Sequence, residues 1–199
     1  MMTSPHGQPF TLIAAARDWV IQCYPYNRDH LIRALEWLDT IEPRATEAVR
    51  LATLTHDMER AFPGVDQPVM VRLVDPDYLK AHSERSARIV GAWLRHQGAA
   101  DAFVIEVERL ILAHESGGGP DADLVQAADS LSFLDTNIDL FLGFVRSGRF
   151  SVAEVRDKFN EMYERIRVPR ARTLAAPLVA AASARLTALE AELPSADRR

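Results

Sequence analysis

Thiol chemistry is nearly absent from this chain. A single cysteine, Cys23, among 199 residues rules out an intramolecular disulfide and fits a reducing cytoplasm. Set in an apolar run, that lone thiol reads as packing rather than as a nucleophile. Long hydrophobic runs are lacking too. No stretch reaches the about 18 uninterrupted apolar residues of a spanning helix, and the closest, Leu12–Cys23, is broken by Arg17 and Asp18. The chain does not start with a basic segment and a long apolar run, so no secretory leader is expected. A cytoplasmic location and no membrane partner follow as expectations.

Positive charge is not in excess either. The formal net charge of −5 argues against general nucleic-acid binding, which rests on neutralising phosphates with a basic surface. The expected partner is a small-molecule substrate rather than a nucleic-acid polymer, with a homodimer as a candidate assembly. One region leans the other way: between Arg146 and Arg172, eight basic residues face four acids. It reads as a solvated helix face with Glu–Arg pairs at helical spacing. Phosphate-cradling glycine loops are missing as well. Gly117–Gly119 follow a helix instead of joining strand to helix, which reads as a hinge or a loop at the mouth of a site.

What remains is helical throughout. The expected class is all-α, one domain of seven to eight helices over 1–199, with a ligand-bearing core at about 25–150, C-terminal helices over 151–193 and a frayed tail at 194–199. The first helix spans Thr11–Cys23 and stops at Pro25. Asp29 is expected to cap the second, whose apolar residues Leu31, Ala34, Leu35, Leu38 and Ile41 recur at helical steps. A third covers Arg44–Arg60, a fourth Asp77–His96 and a fifth Asp101–Glu115. Asp121 caps a long sixth that reaches about Arg146. Ser151 and Glu154 form a capping box for the seventh, and an Ala-rich eighth follows Pro169. The segment between Phe62 and Pro76 is a Pro/Gly loop in which 69–74 is a candidate short extended piece.

Against this background stand four histidines and two aspartates: His30, the adjacent pair His56 and Asp57, His82, His114 and Asp129. Helical phase decides whether they can meet. His30 aligns with Ala34, Trp37 and Ile41; Ala45, Ala48 and Ala52 lead to His56; His82 shares a stripe with Leu79, Ser86 and Val90. His114 follows Phe103, Val107 and Ile111, and Asp129 lines up with Val125 and Phe133. Each histidine therefore sits at or beside the face its helix buries. A lone histidine there is usually a hydrogen-bonded core residue. Four of them, with two carboxylates and no lysine or arginine on the same stripes, call for a cation to offset the buried charge. Imidazole and carboxylate are the ligands divalent transition metals take when thiolate is absent.

A His, a later His-Asp doublet and a distant Asp, in the order His30, His56-Asp57, Asp129, resembles the HD-domain superfamily of metal-dependent phosphohydrolases from about Pro25 to Phe150. Arg33 after the first His and the small-residue setting of Asp129 are similar to the family's motifs. His82 and His114 look like the two extra histidines of its dinuclear members. The resemblance implies one ion on His30, His56 and Asp129, a second on His82 and His114, and Asp57 as a catalytic bridge. One or two divalent ions are expected, with Fe, Mn, Co or Ni competing well and Mg sufficing at the carboxylate-rich position. Glu115 and Asn137 are candidates to orient imidazole, water or substrate, with capping as the alternative. Arg33, Arg60, Lys80 and Arg85 are the nearest cations for a substrate phosphate, with a surface role as the alternative for each. The implied activity is hydrolysis of a small phosphorylated metabolite or nucleotide. The alternatives are a di-iron oxygenase that cleaves a C–C or C–P bond, for which Tyr24 and Tyr26 sit where relatives carry gating residues, and a non-catalytic regulatory module.

Overall fold

In a computed structural model that describes residues 11–193, the chain is all helical, with no strand among the described residues. Among the described residues nine α-helices follow in order: α1 Leu12–Cys23, α2 Arg28–Ile41, α3 Glu47–Thr55, α4 Pro76–His96, α5 Asp101–Ala113, α6 Pro120–Thr136, α7 Ile138–Arg146, α8 Val152–Glu164 and α9 Pro169–Glu192. The expected frayed tail lies outside the described residues.

α6 is the axis of the fold. From Val125 to Leu134 every residue is buried, because Ala127, Ala128, Ser130 and Ser132 give it a small surface on all sides. It packs most extensively on α2, and also on α9, α3, α5 and α8. The pair α4 and α5 closes against it through α3 and α5. Gly91 on α4 lets the two come together: a Cβ there would fall 1.7 Å from the Glu108 carboxylate.

Several boundaries differ from those the periodicity suggests. Asp29 is not a cap: α2 starts at Arg28 after Asn27, and Asp29 sits exposed in the first turn, where its charge still suits the helix N-terminus. Likewise Gly119 precedes α6 with Pro120 at its first position, leaving Asp121 in the first turn. α3 ends at Thr55, and a 3-10 turn over Met58–Ala61 follows. The break falls at the His-Asp doublet, where Asp57 adopts φ −98° and ψ 8°. The long sixth helix is two. Asn137, at φ −96° and ψ −2°, ends α6 and starts α7, turning the chain toward α8. The segment 69–74 is not extended into a strand; it bends along the mouth of a cavity. The capping box of α8 forms as expected, with Ser151 and Glu154 each accepting from the other's backbone.

α9 is long and apolar enough by composition to cross a membrane, with a mean hydropathy of 1.3 over its best window. One face of it, with Ala171, Ala175, Ala182, Leu186 and Leu189 buried, packs on α6 and α8, and 22% of that window is buried.

Candidate metal centre

Four helices or helix ends bring the histidines together. His30 comes from the first turn of α2, His56 from the end of α3, His82 from the second turn of α4 and His114 from the end of α5, and all four are at most 2 % exposed. Their rings form a row, His30–His56–His114–His82, with successive centroids 5.4, 5.0 and 5.4 Å apart.

The tautomers follow from their neighbours. His56 Nδ1 donates to the Thr53 carbonyl at 2.9 Å and His114 Nδ1 to the Ile111 carbonyl at 2.6 Å. His82 Nδ1 donates to Glu59 Oε1 at 2.9 Å. Ser132 spends its proton on the His30 carbonyl at 2.6 Å, so its oxygen accepts from His30 Nδ1 at 3.0 Å. With Nδ1 protonated in each ring, all four Nε2 atoms present lone pairs to the interior.

Those lone pairs face carboxylate oxygens. Asp129 Oδ1 lies 3.1 Å from His30 Nε2 and 3.3 Å from His56 Nε2; Asp57 Oδ1 lies 2.8 Å from His82 Nε2 and 4.0 Å from His56 Nε2. Acceptor meets acceptor, and the Nε2 atoms of His56, His82 and His114 are buried without a hydrogen-bond partner. Only a proton or a cation between them relieves this. Three groups have ligand atoms close enough to share an ion: His30, His56 and Asp129; His56, Asp57 and His114; and His82, His114 and Glu115. The set thus fits a divalent metal by donor chemistry and by its unpartnered atoms. Asp57 stands between the two ends of the row, and Glu115 lies among the possible ligands of the far end.

Without a metal, protons take that place. Burial disfavours a charged His56, but the Asp129 carboxylate outweighs it and lifts the ring to about 9. His82 is also raised: burial and Arg60 push it down, and Asp57 and Glu59 more than compensate. His114 is lowered, chiefly by burial.

The expectation that no basic residue pairs the carboxylates is overturned. Arg165, from the end of α8, places its guanidinium against Asp129, Glu115 and the Ser130 hydroxyl. Arg60 lies 3.3 Å from Asp57. Burial opposes ionisation of Asp57, Asp129 and Glu115, yet Arg60 in the first case and Arg165 in the others hold all three well below the ordinary carboxylate range. The case for a cation therefore rests on the facing lone pairs, not on unbalanced charge. Arg60 had a local signal, three residues after Asp57. Arg165 had none: it lies in the stretch read as a solvated face, 36 residues from Asp129. Glu59 was missed as well, although it is 1 % exposed and joins His82 to Arg85.

The cluster opens into a cavity of about 640 Å³. His30, Asp57, Glu115 and Asp129 reach it, as do Arg60 and Asn137, the latter at the α6–α7 break. The other three expected phosphate contacts do not. Arg33 binds Asp135 at 2.6 Å and Glu36 at 2.8 Å on the surface. Lys80 pairs with Glu84 and is 71 % exposed, because two residues of helix turn it about 200° away from His82. Arg85 is buried between Glu59 and the Phe62 carbonyl, where it holds the 3-10 turn to α4. The glycine loop is not a mouth either. Gly117 has φ 63°, the left-handed region glycine favours, and Arg167 ties the turn by donating to Ser116 and Asp123.

No protein-family model, curated protein or solved structure matches this chain. Fold and site together describe an all-helical protein with a buried His/Asp cluster able to hold a metal ion.

Proposed function

We propose that the chain is a metal-dependent phosphohydrolase of the HD-domain type, acting on a small phosphorylated metabolite or nucleotide. The observation that carries this reading is the row of imidazoles whose Nε2 lone pairs face Asp57 and Asp129. The order of these residues in the chain and their all-helical frame support it. His30, His56 and Asp129 would hold one divalent ion, and His82 and His114, with Asp57 between and Glu115 alongside, a second. Such ions supply Lewis acidity and lower the pKa of water toward neutrality.

The chain's own groups divide the remaining work. Arg60, on the cavity wall and partly exposed, is placed to meet a substrate phosphate. Glu115 is kept ionised by Arg165. It can accept a hydrogen bond from water or complete a ligand set, but it is a poor proton donor. Asn137 offers an amide at the bend. Fe, Mn, Co and Ni suit the mixed nitrogen and oxygen donors best.

A second reading has one specific observation behind it. Tyr24 lines the cavity and is fully buried, with the Tyr26 side chain as the neighbour of its hydroxyl. Burial first, and the Asp57 charge second, hold it protonated far above its ordinary range. A neutral phenol at the cavity wall, packed edge-on against Tyr26 at 4.7 Å, suits a di-iron oxygenase that gates its substrate. A purely regulatory module gives no reason to keep so complete a ligand set.

The deciding experiment is metal analysis of anaerobically purified protein, then phosphatase and oxygen-consumption screens on one sample. Phosphate release that disappears in Asp57→Ala is the expected result. Oxygen consumption with no phosphate release from any phosphoester would establish the oxygenase instead.

A further inference from the structure

The cavity is longer than the metal end requires. α8 forms one wall, with Lys158, Met162 and Arg165 lining it at steps of four and three residues, one face of a helix. Seven residues at 1.5 Å each put Lys158 about 10 Å from Arg165 along the axis. α6 forms the facing wall. Its Asp129 meets Arg165, and Phe133, one turn further on, meets Lys158, whose Nζ lies 5.9 Å from the ring centroid. Between the ends the lining is apolar, with Phe133 and Phe141 packed edge to face at 4.8 Å and Met162 opposite.

The far end is cationic. The Lys158 side chain is 9 % exposed, and its ammonium donates to Glu161 Oε2 at 2.8 Å. That leaves two of its three N–H donors for the cavity. Arg149, an exposed residue, also lines the cavity, with its guanidinium over the Phe144 and Phe150 rings at 4.7 and 5.4 Å, and Phe141 packs between Phe144 and the Phe133 ring under Lys158. It makes no ion pair with any carboxylate among the described residues. The ammonium is largely out of water, with Glu161 its one direct carboxylate partner and the Glu115 charge acting from further off, so a further anion at its two remaining donors would be favourably placed.

We infer that Lys158 and Arg149 form a second anion site, remote from the histidines, which grips a part of the substrate that does not react. The substrate class this defines has two ends: a reacting group at the metal cluster and a phosphate or carboxylate about 10 Å away, joined by an apolar or planar segment that lies along Phe133, Phe141 and Met162. The inference rests on the cluster being the reacting centre. It goes beyond that reading by naming the shape and charge of what binds there. A cavity of about 640 Å³ is the size of pockets that enclose a whole small molecule, not a lone phosphate.

Three probes test it on the full chain loaded with manganese: biphenyl-4-ylphosphonate, 4'-carboxybiphenyl-4-ylphosphonate and biphenyl-4,4'-bisphosphonate, whose two heads lie about 10 Å apart, the span the site requires, each titrated calorimetrically. The doubly headed probes are expected to bind about ten-fold tighter than biphenyl-4-ylphosphonate, the worth of one charge-assisted hydrogen bond. Whichever of them gains more identifies the remote anion. Lys158→Met, close to isosteric and suited to its apolar surroundings, should remove most of the gain, and adding Arg149→Ala the rest. Equal affinities for all three probes, or a gain that survives in the double variant, would overturn the second anion site. A chain that takes up none of manganese, iron, cobalt and nickel refutes the metal reading instead. The same probes on metal-free protein then still compare one head with two, and the absence of any gain there overturns the anion site as well.

Discussion

Glu59 Oε1 accepts the Nδ1–H of His82 at 2.9 Å while Glu59 Oε2 takes Arg85 at 3.2 Å. A carboxylate that is itself fixed by a guanidinium thus fixes the ring whose other nitrogen faces Asp57 at 2.8 Å. Glu59→Gln keeps the shape and removes the charge. Metal affinity at the His82 end should fall about 10- to 100-fold, read by competition with a chromophoric chelator. Unchanged affinity would mean that Glu59 serves only to anchor Arg85.

Arg165 offsets Asp129 and Glu115 from across the bundle. Arg165→Met leaves two buried carboxylates without their cation, a loss of about 3–5 kcal/mol by analogy with broken buried pairs. The metal-free protein should show this as a lowered denaturation midpoint. Saturating manganese should restore much of the difference, because it supplies the lost charge. An equal deficit with and without metal would separate Arg165 from the metal site.

Protons and metal compete for the same nitrogens, which gives the metal-free protein a distinctive pH response. His56 and His82 are raised in the folded state. Their charged forms therefore contribute stability that is complete below the unfolded histidine value of about 6.5. That contribution is lost as the pH rises through the folded values, about 9 for His56. The melting temperature of metal-free protein should decline between those limits. With metal bound, the rings must be neutral, and the trend should reverse. Parallel curves in the two states would show that the ion binds elsewhere.

Stoichiometry tests the division of the row. Wild type should bind two equivalents, and a His82→Ala/His114→Ala variant about one, measured by elemental analysis after gel filtration. One equivalent in both would leave a single ion at His30, His56 and Asp129.

How far the sequence foretold this arrangement depended on the range of the forces involved. Helical phase is local, so the inward faces of His30, His56, His82, His114 and Asp129 could be read from spacing alone. Even the small residues of α6 were visible, though not that they would let five helices surround it. What escaped was tertiary. Nothing near Arg165 or Lys158 marks either as facing a cavity, since a basic helix with Glu partners looks the same in solvent. Asn137 and the doublet at Asp57 break helices because neighbouring elements demand a turn there. Proximity in sequence also misled: Lys80 was carried to the surface by the pitch of its helix, whereas Arg33, on nearly the same face as His30, is taken up by Asp135 and Glu36.

The encasement of α6 from Val125 to Leu134 has a dynamic consequence. Its backbone amides are shielded on every side, so they can trade hydrogen for deuterium only when the whole bundle opens. Asp129 is carried on that slowest-exchanging stretch, and its position cannot be tuned by a local fluctuation. The wall that faces it from Lys158 to Arg165 belongs to α8, which packs on α9 as well as α6 but keeps Ala153, Asp157, Asn160 and Glu164 in solvent, so it is less enclosed than α6. Adaptation to a different substrate would accordingly accumulate in α7 and α8, leaving the metal end unaltered.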